Sequence, residues 1–137
     1  MSTVVTYAEA EPFGLAELLG RLVEQNLARD PARARLLRPG LVTIEATDAD
    51  VAATLRFERG RVTISMMSEP NAPVQVRAQG QRLFAMVASP TRFGLPDALS
   101  ADGRAVIAAI ATGRIRVRGL ITRLPAIRRL TMLLSAQ

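Results

Sequence analysis

This sequence contains no cysteine, no histidine and no tryptophan, and it has a single tyrosine. Without thiols there are no disulfides and no thiolate chemistry. Without imidazole, a Ser–His or Cys–His catalytic pair is impossible, and so is a histidine–cysteine zinc site. Lysine is missing too: all 18 cations are arginine, set against 12 carboxylates for a net charge of +6. Alanine and arginine dominate the chain together, so the missing lysine reads as composition bias. The positive balance is physical all the same, and it favours docking on anionic membranes. No apolar run approaches the ~20 residues needed to span a bilayer. Residues Met1–Pro12 carry Glu9 and Glu11 and lack the basic start and apolar run of a signal peptide, so a cytoplasmic location is expected.

What is present is aliphatic. The chain of 137 residues is 49% hydrophobic but only 4% aromatic. It is expected to form one domain over 1–137, with an interior of Val, Leu, Ile, Ala and Met that also suits a cavity for a flexible hydrocarbon. The most readable segment is Gly113-Arg114-Ile115-Arg116-Val117-Arg118-Gly119. Period-two alternation sets three arginines on one face of a strand and Ile115 and Val117 on the other. A helix then starts near Leu124 with Pro125 in its first turn. Ile127, Leu130 and Leu134, broadened by Leu133, form its apolar stripe, while Arg123, Arg128 and Arg129 stay near water.

Upstream, Phe13–Arg29 reads as a helix ended by Asp30-Pro31, with a helical turn over Ala32–Leu37. Leu41–Thr47, Val51–Glu58 and Arg61–Met67 read as an antiparallel meander, turning at Asp48-Ala49-Asp50 and Arg59-Gly60. Ser68–Pro73 is a crossover and Val74–Ala78 a fourth strand. A helix over Gln81–Ala88, an irregular lid-like loop over Thr91–Ala101 and a helix over Arg104–Thr112 lead back to the Gly113 strand. The expected class is α+β. Its five-stranded mixed sheet is the three-strand meander plus two strands joined by helical crossovers, with helices enclosing an apolar cavity.

Candidate chemistry is thin. Asp48 and Asp50 sit in a turn without the further oxygen ligands of a calcium loop. Ser65 and Ser68 have no base, Glu58 and Glu69 share no evident reaction centre, and no glycine-rich phosphate loop is present. The Arg114, Arg116, Arg118 row fits an ordinary exposed strand face, and aromatics for base stacking are scarce, so no nucleic acid is expected. Neither a metal site nor a cofactor is expected.

The order of these features resembles the sterol carrier protein family, the type-two lipid-binding domain. The likeness runs from about Gly40 to Ser135 and rests on the meander, Val74-Gln75-Val76, the helix beginning near Leu83-Phe84-Ala85, the GRIRVRG segment and the Leu-rich final helix. Leu120 stands where the family often has an acidic residue, and Ala72-Pro73 where it tends to have Ala-Asp. The resemblance implies a sheet and helices around an apolar tunnel for sterols, fatty acyl chains or phospholipids, in a non-catalytic carrier. The converging apolar faces give an expected pocket of ~300–1,000 Å³. Its expected lining is Phe84, Val87, Phe93, Ile107, Ile110, Val117, Ile127 and Leu130. Arg128 and Arg129 are the expected membrane-docking residues. Two other classes stay open: an accessory to a lipid-metabolising enzyme, and a structural or interaction domain with a filled core.

Overall fold

Alternating strands and amphipathic helices leave one physical solution, a sheet whose apolar face is roofed by helices. The computed structural model describes residues 4–11, 14–83, 91–92, 95–96, 101–119 and 122–134. In chain order the elements are β1 (Val5–Tyr7), α1 (Gly14–Arg29), β2 (Gly40–Ala46), β3 (Val51–Glu58), β4 (Arg61–Ser65), β5 (Val74–Ala78), β6 (Thr91–Arg92), β7 (Leu95–Pro96), α2 (Ala101–Ala111), β8 (Ile115–Arg118) and α3 (Leu124–Leu134). A 3₁₀ turn over Pro31–Leu36 follows α1, with the Asp30 carboxylate accepting from the Ala32 N–H at 3.2 Å.

Among the described residues the main sheet has six strands, not the expected five, in the order β1-β4-β3-β2-β5-β8. The added strand is β1, which runs parallel to β4 and sets Val5 beside Val62 and Tyr7 beside Ile64. Three residues are too short to show a period, and their partner lies some 57 positions away, so only tertiary pairing reveals them. Glu9 fixes the exit from this strand by accepting from the Met66 N–H at 2.7 Å. Tyr7 lies on α1 at Gly20, where any Cβ would overlap the phenol ring.

The meander of β2, β3 and β4 is antiparallel as expected. β5 lies parallel to β2, with Val42 opposite Val74. The connection between β4 and β5 contains no helix, a second correction. It is residues 66–73, held across the polar sheet face by hydroxyls. Thr54 donates to the Met67 carbonyl at 2.6 Å, and the Glu69 N–H donates to Thr43 Oγ1 at 3.2 Å. Pro70 and Pro73 bar a helix through that stretch. From β5 the chain passes through helical residues 80–83 and α2 and returns as β8, antiparallel to β5. Within the expected irregular loop, β6 and β7 pair as a short ribbon, and α2 begins at Ala101, three residues before Arg104.

Register sorts the two faces. Val42, Ile44, Leu55, Val62, Ile64, Val74, Val76 and Ile115 point to one side and are buried. α1 covers part of that side with Ala16, Leu19 and Val23, and α3 joins the same core through Ile127, Leu130, Leu133 and Leu134. The opposite side carries Thr, Glu, Gln and Arg.

Candidate functional site: the pocket beneath the last helix

Helix α3 forms where the sequence stops alternating. Gly119 reverses the chain with φ +85°, and its carbonyl accepts from the Arg123 N–H at 2.8 Å. A side chain at Gly119 would bring its Cβ to 2.5 Å from the Pro73 carbonyl oxygen, so the approach of the two segments requires glycine. Pro125 then sits in the first turn of α3 without losing a helical hydrogen bond. The far end of α3 is held by Asn26, whose Nδ2 donates to the Leu133 carbonyl at 2.7 Å.

Between these two anchors α3 spans a pocket of about 110 Å³. Its floor is Val42, Phe57 and Val74 from the sheet, and its roof is Ala126, Leu130 and Leu133 from α3. Arg38, Arg123 and Arg129 also line it, and among the described residues no carboxylate, hydroxyl or thiol does. The chemistry available is therefore burial of hydrocarbon beside fixed positive charge. Among the described residues, no group of three or more Asp or Glu side chains is placed to hold a metal ion.

Of the residues expected to line a cavity, Leu130 lies on this pocket. Ile127 is buried in the core beside it, and Val117 and Ile110 are half-buried and packed against that core. Ile107 stands 40% exposed on α2. Phe84, Val87 and Phe93 lie outside the described residues. Arg128 is exposed on α3, whereas Arg129 is half-buried and turned to the pocket. Sequence reasoning missed Arg38 and Phe57 as lining. Arg38-Pro39-Gly40 reads only as a break, and the alternation of β3 places Phe57 in the interior without saying which helix covers it.

The described residues form a helix-roofed α+β sheet with a largely apolar pocket beneath α3. Comparison with solved structures specifies the fold. The chain superposes on the UbiJ-SCP2 ubiquinone synthesis protein with a TM-score of 0.56 and 19% identity, over 88% of this chain and 90% of that one. It superposes on the stereoselective inverting sec-alkylsulfatase Pisa1 from Pseudomonas sp. with a TM-score of 0.58 and 17% identity, over 86% of this chain but 16% of that one. A possible sterol carrier protein from Thermus thermophilus aligns at a TM-score of 0.47 and 12% identity, over 94% and 92% of the two chains. No family model matches the sequence, and no curated protein matches it. The fold is that of the type-two sterol carrier protein domain. None of the described helices is long and apolar enough to cross a membrane.

Proposed function

We propose that the protein binds a hydrophobic lipid (a sterol, fatty acyl chain or phospholipid) between its sheet and its helices and carries it without chemical change. The observation that carries this reading is the pocket beneath α3, which among the described residues is apolar on floor and roof. At about 110 Å³ it is smaller than the roughly 300–1,000 Å³ of small-molecule sites. Occupation by a long lipid therefore requires α3 to move outward, and α3 acts as the movable wall. Leu130, with Ile127 beside it and Val117 packed against the same core, lines the widened space. Burial of hydrocarbon gains about 0.8 kcal/mol per CH₂ relative to water. A bilayer offers the lipid nearly the same, so exchange between membrane and protein runs near balance. Arg128 and Arg129 on α3 provide electrostatic docking on anionic headgroups, each worth ~1 kcal/mol near the surface. The protein works in the cytoplasm as a soluble carrier.

Native mass spectrometry of freshly purified protein tests this directly. Lipid adducts that survive desolvation, together with uptake of a fluorescent fatty acid or sterol, are the expected result. Apo protein that takes up neither probe overturns the reading and leaves a domain with a filled core.

A second reading draws on the comparisons. One neighbour is a ubiquinone synthesis protein, and in the other the matched region is 16% of an alkylsulfatase chain. Both support a role as an accessory that presents a lipid substrate to an enzyme. Under that reading the lone protein binds lipid but transfers it only slowly between vesicles.

A further inference from the structure

The polar face of the sheet gathers positive charge at one end. Antiparallel pairing of β5 and β8 sets Arg77 directly opposite Arg116. In that register facing Cβ atoms are ~4.5–5.5 Å apart, and like charges placed so are destabilising. Arg114, in the bend just ahead of β8, lines the same hollow. Arg82, from the helical residues after β5, closes the group. These four arginines line an open concavity of about 370 Å³ with Thr47, Gln79 and the backbone of Gly113. Among the described residues no carboxylate lines it. The two nearest in sequence are engaged: Glu45 with Arg77 at 3.4 Å, and Asp48 with the Gly80 N–H at 2.9 Å. A solvated strand face needs polar side chains, but it does not need two arginines facing each other with a third and fourth turned to the same hollow.

We propose that this concavity is a binding site for a soluble polyphosphate group, such as a diphosphate or the phosphate chain of a nucleotide. Guanidinium forks pair bidentately with phosphate oxygens. Several forks converging from two strands and a helix fit a group with many anionic oxygens, which a single carboxylate does not supply. A volume near 370 Å³ is of small-molecule size. Among the described residues no aromatic lines it, so they offer no platform for stacked bases of a nucleic acid strand. The site stands at the C-terminal ends of β2 and β5, whereas the apolar pocket stands at their N-terminal ends and on the other face. The two hollows share no lining residue and stand at opposite ends of β2 and β5, so this site is argued separately from the lipid reading and independently of it.

Inorganic pyrophosphate titrated calorimetrically into the full chain at low salt is the test. Binding is expected to weaken as salt rises, and Arg114→Gln/Arg116→Gln is expected to weaken it by roughly tenfold or more through lost charge-assisted hydrogen bonds. Arg59→Gln/Arg61→Gln removes the same net charge from the exposed hairpin between β3 and β4 and is expected to leave binding within about twofold. The proposal is overturned if pyrophosphate does not bind, or if the two double variants weaken it equally. It is also overturned if only vesicles containing phosphatidic acid bind and pyrophosphate does not compete with them. Thermal unfolding of each variant in parallel separates loss of the site from loss of the fold.

Discussion

Asn26 and Leu133 stand 107 positions apart in the chain, and the side-chain amide of the first holds the backbone carbonyl of the second at 2.7 Å. Asn26 is buried, and its own carbonyl oxygen accepts from Arg29 at 2.9 Å. Leu133 lies in the last turn of α3, where carbonyls have no partner within the helix. One polar contact inside the core thus fastens the last helix to the first. Asn26→Leu fills a similar volume but leaves that carbonyl unsatisfied. It is expected to cost about 1–3 kcal/mol in urea unfolding. It is also expected to speed uptake of a fluorescent fatty acid by loosening α3; slower uptake would contradict the movable-wall mechanism.

Leu130 is buried between α3 and the sheet and lines the pocket. Leu130→Asp places a carboxylate in the lining itself, beside Val42, Phe57, Val74 and Leu133, where it opposes burial of hydrocarbon and lowers affinity for the probe. Reduced probe uptake and a lower unfolding midpoint are the expected outcomes. Full uptake by this variant would show that the lipid sits elsewhere.

Arg128→Gln/Arg129→Gln is expected to slow lipid transfer to anionic vesicles at low salt. The difference from the parent should shrink as salt rises, because exposed charges are screened over ~10 Å at 0.1 M. An unchanged transfer rate at low salt would reduce that basic face to a solvated helix surface.

Tyr7 gives a pH-dependent readout. Burial, aided by Glu24 and Glu17 and opposed by Arg21, lifts its hydroxyl above the ordinary value of 10.0. Folding thus disfavours tyrosinate. The resulting stability is fully present below the unfolded value and is lost as pH rises through the raised folded value. As the chain's one tyrosine, with no tryptophan beside it, Tyr7 can be titrated by its tyrosinate absorbance. The midpoint is expected above 10.0 in folded protein and to move down in urea. Tyr7→Phe should remove this component from the alkaline loss of stability.

Gly119→Ala tests the turn that aims α3. The left-handed backbone alone costs roughly 1–2 kcal/mol for a residue with a side chain. The close approach to the Pro73 carbonyl adds to that cost. Equilibrium unfolding should show a loss larger than the backbone value, with probe binding impaired because α3 no longer meets the sheet in register.

The legible parts of this fold were those with a local period. β3 spans Val51–Glu58 and β5 spans Val74–Ala78, as their alternation predicts, and α3 begins at Leu124, as its stripe and Pro125 predict. β1 was not legible, because its stability comes from pairing with Val62–Ile64 and from Tyr7 on Gly20, neither of which is local. The crossover over residues 66–73 was legible as a break but not as a polar-face strap, since that depends on Thr43 and Thr54 meeting it from two other strands. At the candidate site, the apolar stripe of α3 named Leu130. The chain could not say that the 3₁₀ turn after α1 brings Arg38 to the same pocket.

The tie between α1 and α3 also sets an order of events during synthesis. β1 pairs with β4 only after the chain has reached Ile64, and Asn26 finds its partner only after Leu133 has been made. Until then the apolar face of the sheet lacks part of its roof, and contacts between such distant segments form slowly because loop-closure entropy precedes their reward. The pocket beneath α3 accordingly closes only once Leu124–Leu134 has been made. A nascent chain halted before Leu124 presents that face uncovered, as a surface for chaperones or for aggregation.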